Sequence, residues 1–198
     1  MHNIRIVYED DALIVFDKPS GLLVVPTPKK ESRTLTSITG FYPCHRLDRE
    51  TSGLIIYAKT RSLQEKMMDE FRKRQVHKIY IAFVQGQVHK IQGQINNRIE
   101  GQDAVTKYEV LEQRSNFAIV EVTPVTGRTN QVRIHFKAIG NPLVGEDKFA
   151  FRRDFALKFK RLCLHAKSLE FKHPVSGKEV RLEIDLAQDL EKFYSENQ

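Results

Sequence analysis

The segment from His45 to Leu54 (HRLDRETSGL) places Asp48 between two arginines, at a turn marked by Gly53. The apolar run Leu54–Ala58 follows directly, and its continuous hydrophobic character predicts a strand that is buried on both faces. Such a strand would hold the preceding polar turn rigidly. A carboxylate beside fixed positive charge is suited to nucleophilic chemistry. An aspartate ahead of Thr-Ser-Gly is also a common turn or cap residue, which is the structural alternative.

The segment His45–Leu54 resembles the signature of the RluA-type pseudouridine synthases, which isomerise selected uridines in ribosomal or transfer RNA. Further blocks resemble the motifs of that family in the order the family has them. They are Tyr8–Leu22 with its Lys18-Pro19-Ser20-Gly21 turn, Lys78–Ala82, Thr126–His135, Arg161–Ala166 and His173–Gly177. Because these blocks cover almost the whole chain, the resemblance is specific.

The resemblance implies catalytic roles for three residues. Asp48 matches the catalytic aspartate of the family, and Tyr80 matches the tyrosine that lies against the target base. Arg133 matches the arginine expected to pair with Asp48 and keep it ionised. Asp48 would add to C1′ or C6 of the uridine, or act as the base that starts elimination through a glycal; the sequence does not choose among these. By residue type alone, Tyr80 would be a half-buried strand residue and Arg133 a surface residue.

Other residues are candidates for binding RNA. The target base sits inside a stack, so the enzyme must extrude it and steady the neighbouring phosphates. Arg46, two residues before the aspartate, is the first candidate, with a structural ion pair as its alternative. Arg128 and Lys18 would contact phosphate or hold loops. Leu164 would wall the uracil pocket or belong to the core.

Three further residues concern the architecture of the site. We expect His45 and Thr51 to orient the Asp48 loop by hydrogen bonds. Asn130 stands where the family usually has histidine, so we do not expect that position to carry a proton. From the resemblance we expect the chain to begin directly at the catalytic domain, without the N-terminal RNA-binding module of many larger relatives. Target choice is therefore expected to come from the loops of the catalytic domain.

The length and net charge of the chain agree with an RNA-modifying enzyme but do not establish one. The 198 residues suffice for one sizeable core, and no linker or repeat divides them, so a single domain over 1–198 is predicted. The 32 Lys and Arg against 25 Asp and Glu give a net charge of +7, which favours a polyanion such as RNA or reflects an ordinary basic surface. No apolar run reaches bilayer length and the N-terminus lacks signal-peptide features, so we expect a cytoplasmic protein with no membrane partner. We also expect the protein to act as a monomer.

No cofactor or metal is expected. The implied isomerisation changes no redox state and adds no atom. Cys44 and Cys163 are the only cysteines, and with His45 and His165 they lack the usual zinc spacing. Two other function classes remain as alternatives: a non-catalytic RNA-binding or RNA-folding protein on the same scaffold, and a metal-dependent hydrolase or nuclease using Asp48. The latter needs a second acidic cluster, which the sequence does not show.

Periodicity predicts the α+β class with an antiparallel or mixed central sheet. Strands are predicted over residues 4–8, 12–16, 54–58, 78–85, 105–112, 117–123, 163–171 and 180–186, with a meander through 78–123 and a basic loop over 26–42. Helices are predicted over 61–75 with a Ser62/Glu65 capping box, from Thr129 to Gly140, and over 187–194. The resemblance sharpens this to the pseudouridine synthase catalytic fold, a long bent sheet with flanking helices and a central cleft.

Overall fold

The computed structural model describes residues 4–28, 31–150 and 157–197. The helices and strands in these ranges are β1 (Arg5–Glu9), β2 (Leu13–Lys18), α1 (Leu35–Thr39), β3 (Tyr42–Pro43), β4 (Ser52–Ala58), α2 (Arg61–Arg72), β5 (His77–Gln85), β6 (Gln92–Ile95), β7 (Thr106–Gln113), β8 (Phe117–Pro124), α3 (Gln131–Ala138), β9 (Leu164–Lys172), β10 (Glu179–Glu183) and α4 (Gln188–Glu196). The mixture of strands and helices confirms the predicted α+β class.

The chain divides into two compact units. The first extends to Lys78 and also contains Ala166–Asp185, and the second contains Ile79–His165 together with the residues from Leu186 onward. Each unit has its own hydrophobic cluster. Whether the two fold as the single domain predicted from the sequence stays a prediction.

In the first unit, β2 lies between β1 and β4 and is antiparallel to both. The short strand β3 also pairs with β4, and β10 pairs with β9. Every residue of β4 is buried, as its continuous apolar sequence predicted. This buried strand is the element that directly follows the Asp48 turn.

The helix α2 covers the core of the first unit with Leu63, Met67 and Phe71, as its helical period predicted. Its cap is not Ser62. The side chain of Thr60 accepts a hydrogen bond from the Leu63 amide at 3.3 Å, because Thr60 has the extended backbone that an N-cap requires. The helix also ends at Arg72, three residues earlier than predicted.

The predicted loop over 26–42 is partly wrong, because it contains α1 and the first residue of β3. Thr34 and Ser37 form a reciprocal capping box, and Gly40 ends α1 in the left-handed region with φ 74°. A single helical turn with one buried leucine is too short to produce a visible period in the sequence. Lys29 and Lys30, which made this loop basic, lie outside the described residues.

In the second unit the strands lie in the order β5, β8, β7, β6, with β8 antiparallel to both of its neighbours. The predicted meander is therefore wrong in its order, since β8 rather than β7 lies beside β5. The strand β6 was not predicted, because Ile95 is the one β-forming residue in its Gln-Gly-Gln-Ile sequence. It pairs with β7, so the chain goes to the far edge before it returns.

The helix α3 begins after Asn130, which is in the left-handed region with φ 55° and ψ 23° and makes no side-chain cap. The predicted cap at Thr129 is therefore wrong, whereas Gly140 follows the helix with φ 86°, as predicted. The α4 residues Leu190 and Phe193 pack into the core of the second unit. None of the helices in the described ranges has the length and hydrophobicity needed to cross a bilayer.

Candidate functional site

Asp48 is half-buried at the start of a tight turn in the first unit. Its carbonyl oxygen accepts a hydrogen bond from the Thr51 amide at 3.1 Å. The chain before the turn is anchored by buried Leu47 and by the Cys44 amide, which donates to the carbonyl oxygen of Ile56 in β4 at 2.9 Å. The turn is thus fixed on both sides to the buried strand, which limits the freedom of the carboxylate.

His45 adds a side-chain anchor to the same segment. Its Nε2 accepts a hydrogen bond from the Ile56 amide at 3.0 Å, and its ring lies against Phe71 with centroids 4.8 Å apart. Burial, assisted by the positive charge of Lys78, lowers the pKa of His45 to about 3. The ring is therefore neutral, and the observed contact is the orienting hydrogen bond expected from the sequence.

Lys18 is fully buried beneath the turn. Its ammonium donates to the carbonyl oxygens of Pro19 at 2.9 Å, Leu22 at 2.7 Å and Arg49 at 3.0 Å. A phosphate cannot reach an ammonium in this position without displacing the loops around it. Of the two roles expected for Lys18, these contacts favour the holding of loops, and its assignment to RNA binding stays a prediction.

Gly53 fixes how closely β4 approaches its neighbour. Its φ is +108°, and a Cβ at this position would lie 2.3 Å from the carbonyl oxygen of Ala166 in β9. Only glycine satisfies both the backbone conformation and the contact. The glycine that marked the turn in the sequence is thus required by the packing of the strand behind the turn.

The exposed residues of the turn differ in their partners. Arg46 is exposed, and its guanidinium makes no hydrogen bond or ion pair among the described residues. Arg49 pairs with Glu31 at 2.6 Å. The Thr51 hydroxyl is buried without a hydrogen-bond partner in the described part of the chain. Thr51 therefore orients the turn through its amide rather than through its hydroxyl.

The remaining predicted residues belong to the second unit. Tyr80 is buried in β5 opposite Val122 of β8, and Leu164 is buried at the start of β9. Arg128 is exposed, and its Nε donates to the Asp103 carbonyl oxygen at 3.1 Å. This contact orients the Arg128 side chain and leaves it accessible at the surface, so both of its expected roles remain open.

Arg133 is buried on α3, where Glu146 and Asn130 of the same unit accept its hydrogen bonds and the carboxylate of Asp147 lies 3.9 Å away. Its Nε and one terminal nitrogen donate to the two carboxylate oxygens of Glu146, at 2.7 and 2.6 Å. The other terminal nitrogen donates to Oδ1 of Asn130 at 3.2 Å. Glu146 was not predicted as a site residue. The available signal was an acidic residue between an apolar stretch ending at Gly145 and the charged residues Asp147 and Lys148, which is too weak to identify a buried ion pair.

The structure thus groups the predicted residues in two sets. Lys18, His45, Arg46, Asp48 and Thr51 belong to the first unit, and Tyr80, Arg128, Arg133 and Leu164 belong to the second. Asp48 and Arg133 are in different units, so their pairing stays a prediction. In the first unit buried Lys18 binds the turn directly after Asp48, and in the second unit buried Glu146 binds Arg133.

Comparison with known proteins gives a consistent result. A family model described as RNA pseudouridylate synthase matches residues 12–138, a range that includes Asp48, Tyr80 and Arg133. The chain is 38% identical over 194 residues to the Haemophilus influenzae dual-specificity RNA pseudouridine synthase RluA, covering 87% of this chain and 88% of that protein. It is 31% identical over 210 residues to the Vibrio cholerae ribosomal large subunit pseudouridine synthase C, covering 94% and 67%.

A solved structure supports the fold. The structure of human RNA pseudouridylate synthase domain containing 4 matches with a TM-score of 0.77 and 24% identity, covering 93% of this chain and 89% of that one. At this level of identity the match establishes shared architecture only.

Proposed function

Because the chain belongs to the RNA pseudouridylate synthase family, we propose that it isomerises specific uridines in structured ribosomal or transfer RNA to pseudouridine. The observation that carries the proposal is the Asp48 turn. This turn belongs to the segment His45–Leu54 that resembles the family signature, and its backbone is anchored to the buried strand β4. Relatives named for RNA in general and for the large ribosomal subunit support RNA as the substrate class.

The reaction has simple chemical requirements. The bond between ribose C1′ and base N1 breaks, the detached uracil turns, and C1′ bonds to C5. The C5 proton is lost and N1 gains a proton, so the product is an isomer and no oxidant or co-substrate is consumed. A positioned carboxylate, a base for the departing proton and a pocket that retains the uracil are sufficient.

We assign the central role to Asp48, as nucleophile at C1′ or C6 or as the base of the glycal route. Its half-buried position and its anchored backbone support this assignment, because a fixed carboxylate loses less freedom in reaching the reactive geometry. Tyr80 would lie against the base, and Arg133 would pair with the ionised Asp48. Leu164 would help to wall the uracil pocket.

Arg46 is our candidate for holding RNA around the extruded uridine. It is exposed, it makes no ion pair among the described residues, and it lies two positions before Asp48. An exposed guanidinium can form two parallel hydrogen bonds with a phosphate. Arg128 would add a second contact. We further propose that the protein acts as a monomer in the cytoplasm, where its RNA substrates are made.

The test is to map pseudouridines in ribosomal and transfer RNA from cells with and without this protein, using carbodiimide modification and primer extension. At least one uridine should lose its pseudouridine signal in the deletion strain. Expression of the wild type should restore that signal, and expression of Asp48→Asn should not. An unchanged map in both RNA classes would overturn the proposal.

A further inference from the structure

We propose that Glu146 is a positioning residue that fixes the orientation of Arg133, so that Arg133 acts as a directed hydrogen-bond donor rather than as a net positive charge. This inference rests on the proposed function, because it concerns the contribution of Arg133 to uridine isomerisation. No motif or residue pattern in the sequence assigns a role to Glu146.

The first argument is the geometry of the pair. A guanidinium has five N–H donors in a rigid plane. Glu146 binds it through two parallel hydrogen bonds, at 2.7 Å from Nε and 2.6 Å from a terminal nitrogen. Asn130 binds the other terminal nitrogen at 3.2 Å. With three donors engaged along two edges, the plane of Arg133 is fixed, and the direction of every other N–H group of the guanidinium is fixed with it.

The backbone that follows Glu146 curls around its carboxylate and binds it. Besides Arg133, the amides of Asp147, Lys148 and Phe149 donate to its Oε1, at 3.1, 2.8 and 3.2 Å. Burial alone would raise the pKa of Glu146. The hydrogen bonds from Arg133, Lys148 and Phe149, together with the charge of Arg133, hold that pKa below its ordinary value. The carboxylate therefore stays ionised and bound.

The third argument comes from the glycine before it. Gly145 has φ +79°, and a Cβ there would lie 1.8 Å from the Arg161 carbonyl oxygen. The backbone can pass this point only with glycine, which sets the start of the turn that surrounds the Glu146 carboxylate. The position of Glu146 is thus determined by local packing and does not depend on Arg133 alone.

Arg133 and Glu146 form a buried pair of opposite charges, since both side chains are at most 7% exposed, and the exposed carboxylate of Asp147 lies 3.9 Å from a terminal nitrogen of Arg133. If Arg133 served only as a positive charge, a neighbouring carboxylate would weaken it. A carboxylate beside Arg133 is advantageous when the direction of the Arg133 hydrogen bonds matters more than its charge. Misplacing a catalytic group by about 1 Å costs roughly 100-fold in rate. The two hypotheses predict opposite effects for neutralising Glu146.

The test is the kinetics of Glu146→Gln in the full protein, by tritium release from RNA labelled at uridine C5. We expect kcat to fall roughly 100-fold, with little change in KM. Asn130→Gly keeps the left-handed backbone and deletes the amide. It should lower kcat by about tenfold, the value of one hydrogen bond to a charged group, and it remains informative if Glu146→Gln does not fold.

Asp189→Asn is the matched control. Asp189 also binds a buried arginine of the second unit through two hydrogen bonds, those from Arg161 at 2.7 and 2.6 Å. The Asp189→Asn substitution should lower the free energy of unfolding, whereas kcat of the folded variant should stay near the wild-type value. A folded Glu146→Gln with kcat equal to or above wild type would overturn the positioning role and leave the proposed function intact. Absence of release by the wild type would overturn the proposed function and this role with it.

Discussion

The buried ammonium of Lys18 donates a hydrogen bond to the carbonyl oxygen of Arg49 at 3.0 Å, and Arg49 directly follows Asp48. The same ammonium binds two carbonyl oxygens of the turn that follows β2. The hydroxyl of Ser20 adds a second link, to the Glu50 carbonyl oxygen at 2.8 Å. A cation that would ordinarily face solvent therefore joins two loops of the first unit beneath the proposed nucleophile.

Replacing Lys18 with methionine should destabilise the protein. The change keeps the unbranched stem but removes the donor from the carbonyl oxygens of Pro19 and Leu22 and leaves that of Arg49 with the Gly21 amide alone. The expected loss is about 3 kcal/mol in the free energy of unfolding, measured by urea denaturation. Lys59→Met is the control in the same unit, because Lys59 forms a surface pair with Glu9 and such pairs contribute about 1 kcal/mol or less. Equal losses in the two variants would contradict a structural role for Lys18.

Arg46→Ala should have the complementary effect. The Arg46 side chain is exposed and has no ion pair among the described residues. The free energy of unfolding should therefore change by less than about 0.5 kcal/mol. RNA affinity should fall, and the slope of log affinity against log salt should decrease by about 1, as expected for one lost phosphate contact.

The control for Arg46 is Arg72→Ala, which removes the same charge from the end of α2, where Arg72 pairs with Asp69. Nitrocellulose filter binding at several salt concentrations measures both variants. An equal loss of salt slope in the two would show that Arg46 acts only through the net charge of the protein.

His45 should make stability depend on pH. Its pKa is about 3 in the folded protein and about 6.5 in an unfolded chain. Between these values the unfolded state binds the additional proton, so stability falls as pH drops below about 6.5. From pH 7 to 5 the wild type should lose about 2 kcal/mol more than His45→Gln, whose amide oxygen can still accept from the Ile56 amide.

The measurement for His45 is chemical denaturation of both proteins at pH 7, 6 and 5. The pKa of His135 is also lowered by burial, but its contribution is common to both proteins and cancels in the difference. Parallel stability profiles for wild type and His45→Gln would contradict a buried neutral imidazole at this position.

Gly53→Ala should be far more damaging than Gly21→Ala. Both glycines have positive φ, but only at Gly53 would the added Cβ meet backbone, the Ala166 carbonyl oxygen at 2.3 Å. The Cβ of Gly21→Ala would lie in open space. This variant should therefore lose only about 1–2 kcal/mol in the free energy of unfolding, which is the cost of the left-handed conformation. Gly53→Ala should cost more than about 3 kcal/mol. Thermal unfolding of the two variants compares them directly, and similar melting temperatures would contradict the packing argument.

The strongly patterned elements could be predicted from the sequence. The apolar run of β4 and the helical stripe of α2 were both found in the structure, because burial on two faces or on one stripe leaves a clear period. The elements that were missed are short or polar. The five residues of α1 and the Gln-Gly-Gln-Ile strand β6 are held by caps and by pairing with distant strands, which leave no local period.

The candidate site was only partly predictable for a similar reason. Motif resemblance identified Asp48, Tyr80 and Arg133, but residue type cannot distinguish an exposed cation from a buried one. Lys18 and Arg46 are equally basic in the sequence, and only the structure shows that one holds loops while the other is exposed. The pairing of Arg133 with Glu146, thirteen positions later, depends on tertiary packing that no local pattern encodes.

The central claim is that Asp48 carries uridine isomerisation. The most direct measurement is tritium release from ribosomal and transfer RNA labelled at uridine C5 and taken from cells lacking this protein, with wild type beside Asp48→Asn, which keeps the size of the side chain and removes its charge. The account predicts release by the wild type and none above background by the variant, with RNA binding retained. Equal release by both, or no release by a wild type that binds the same RNA, would contradict it.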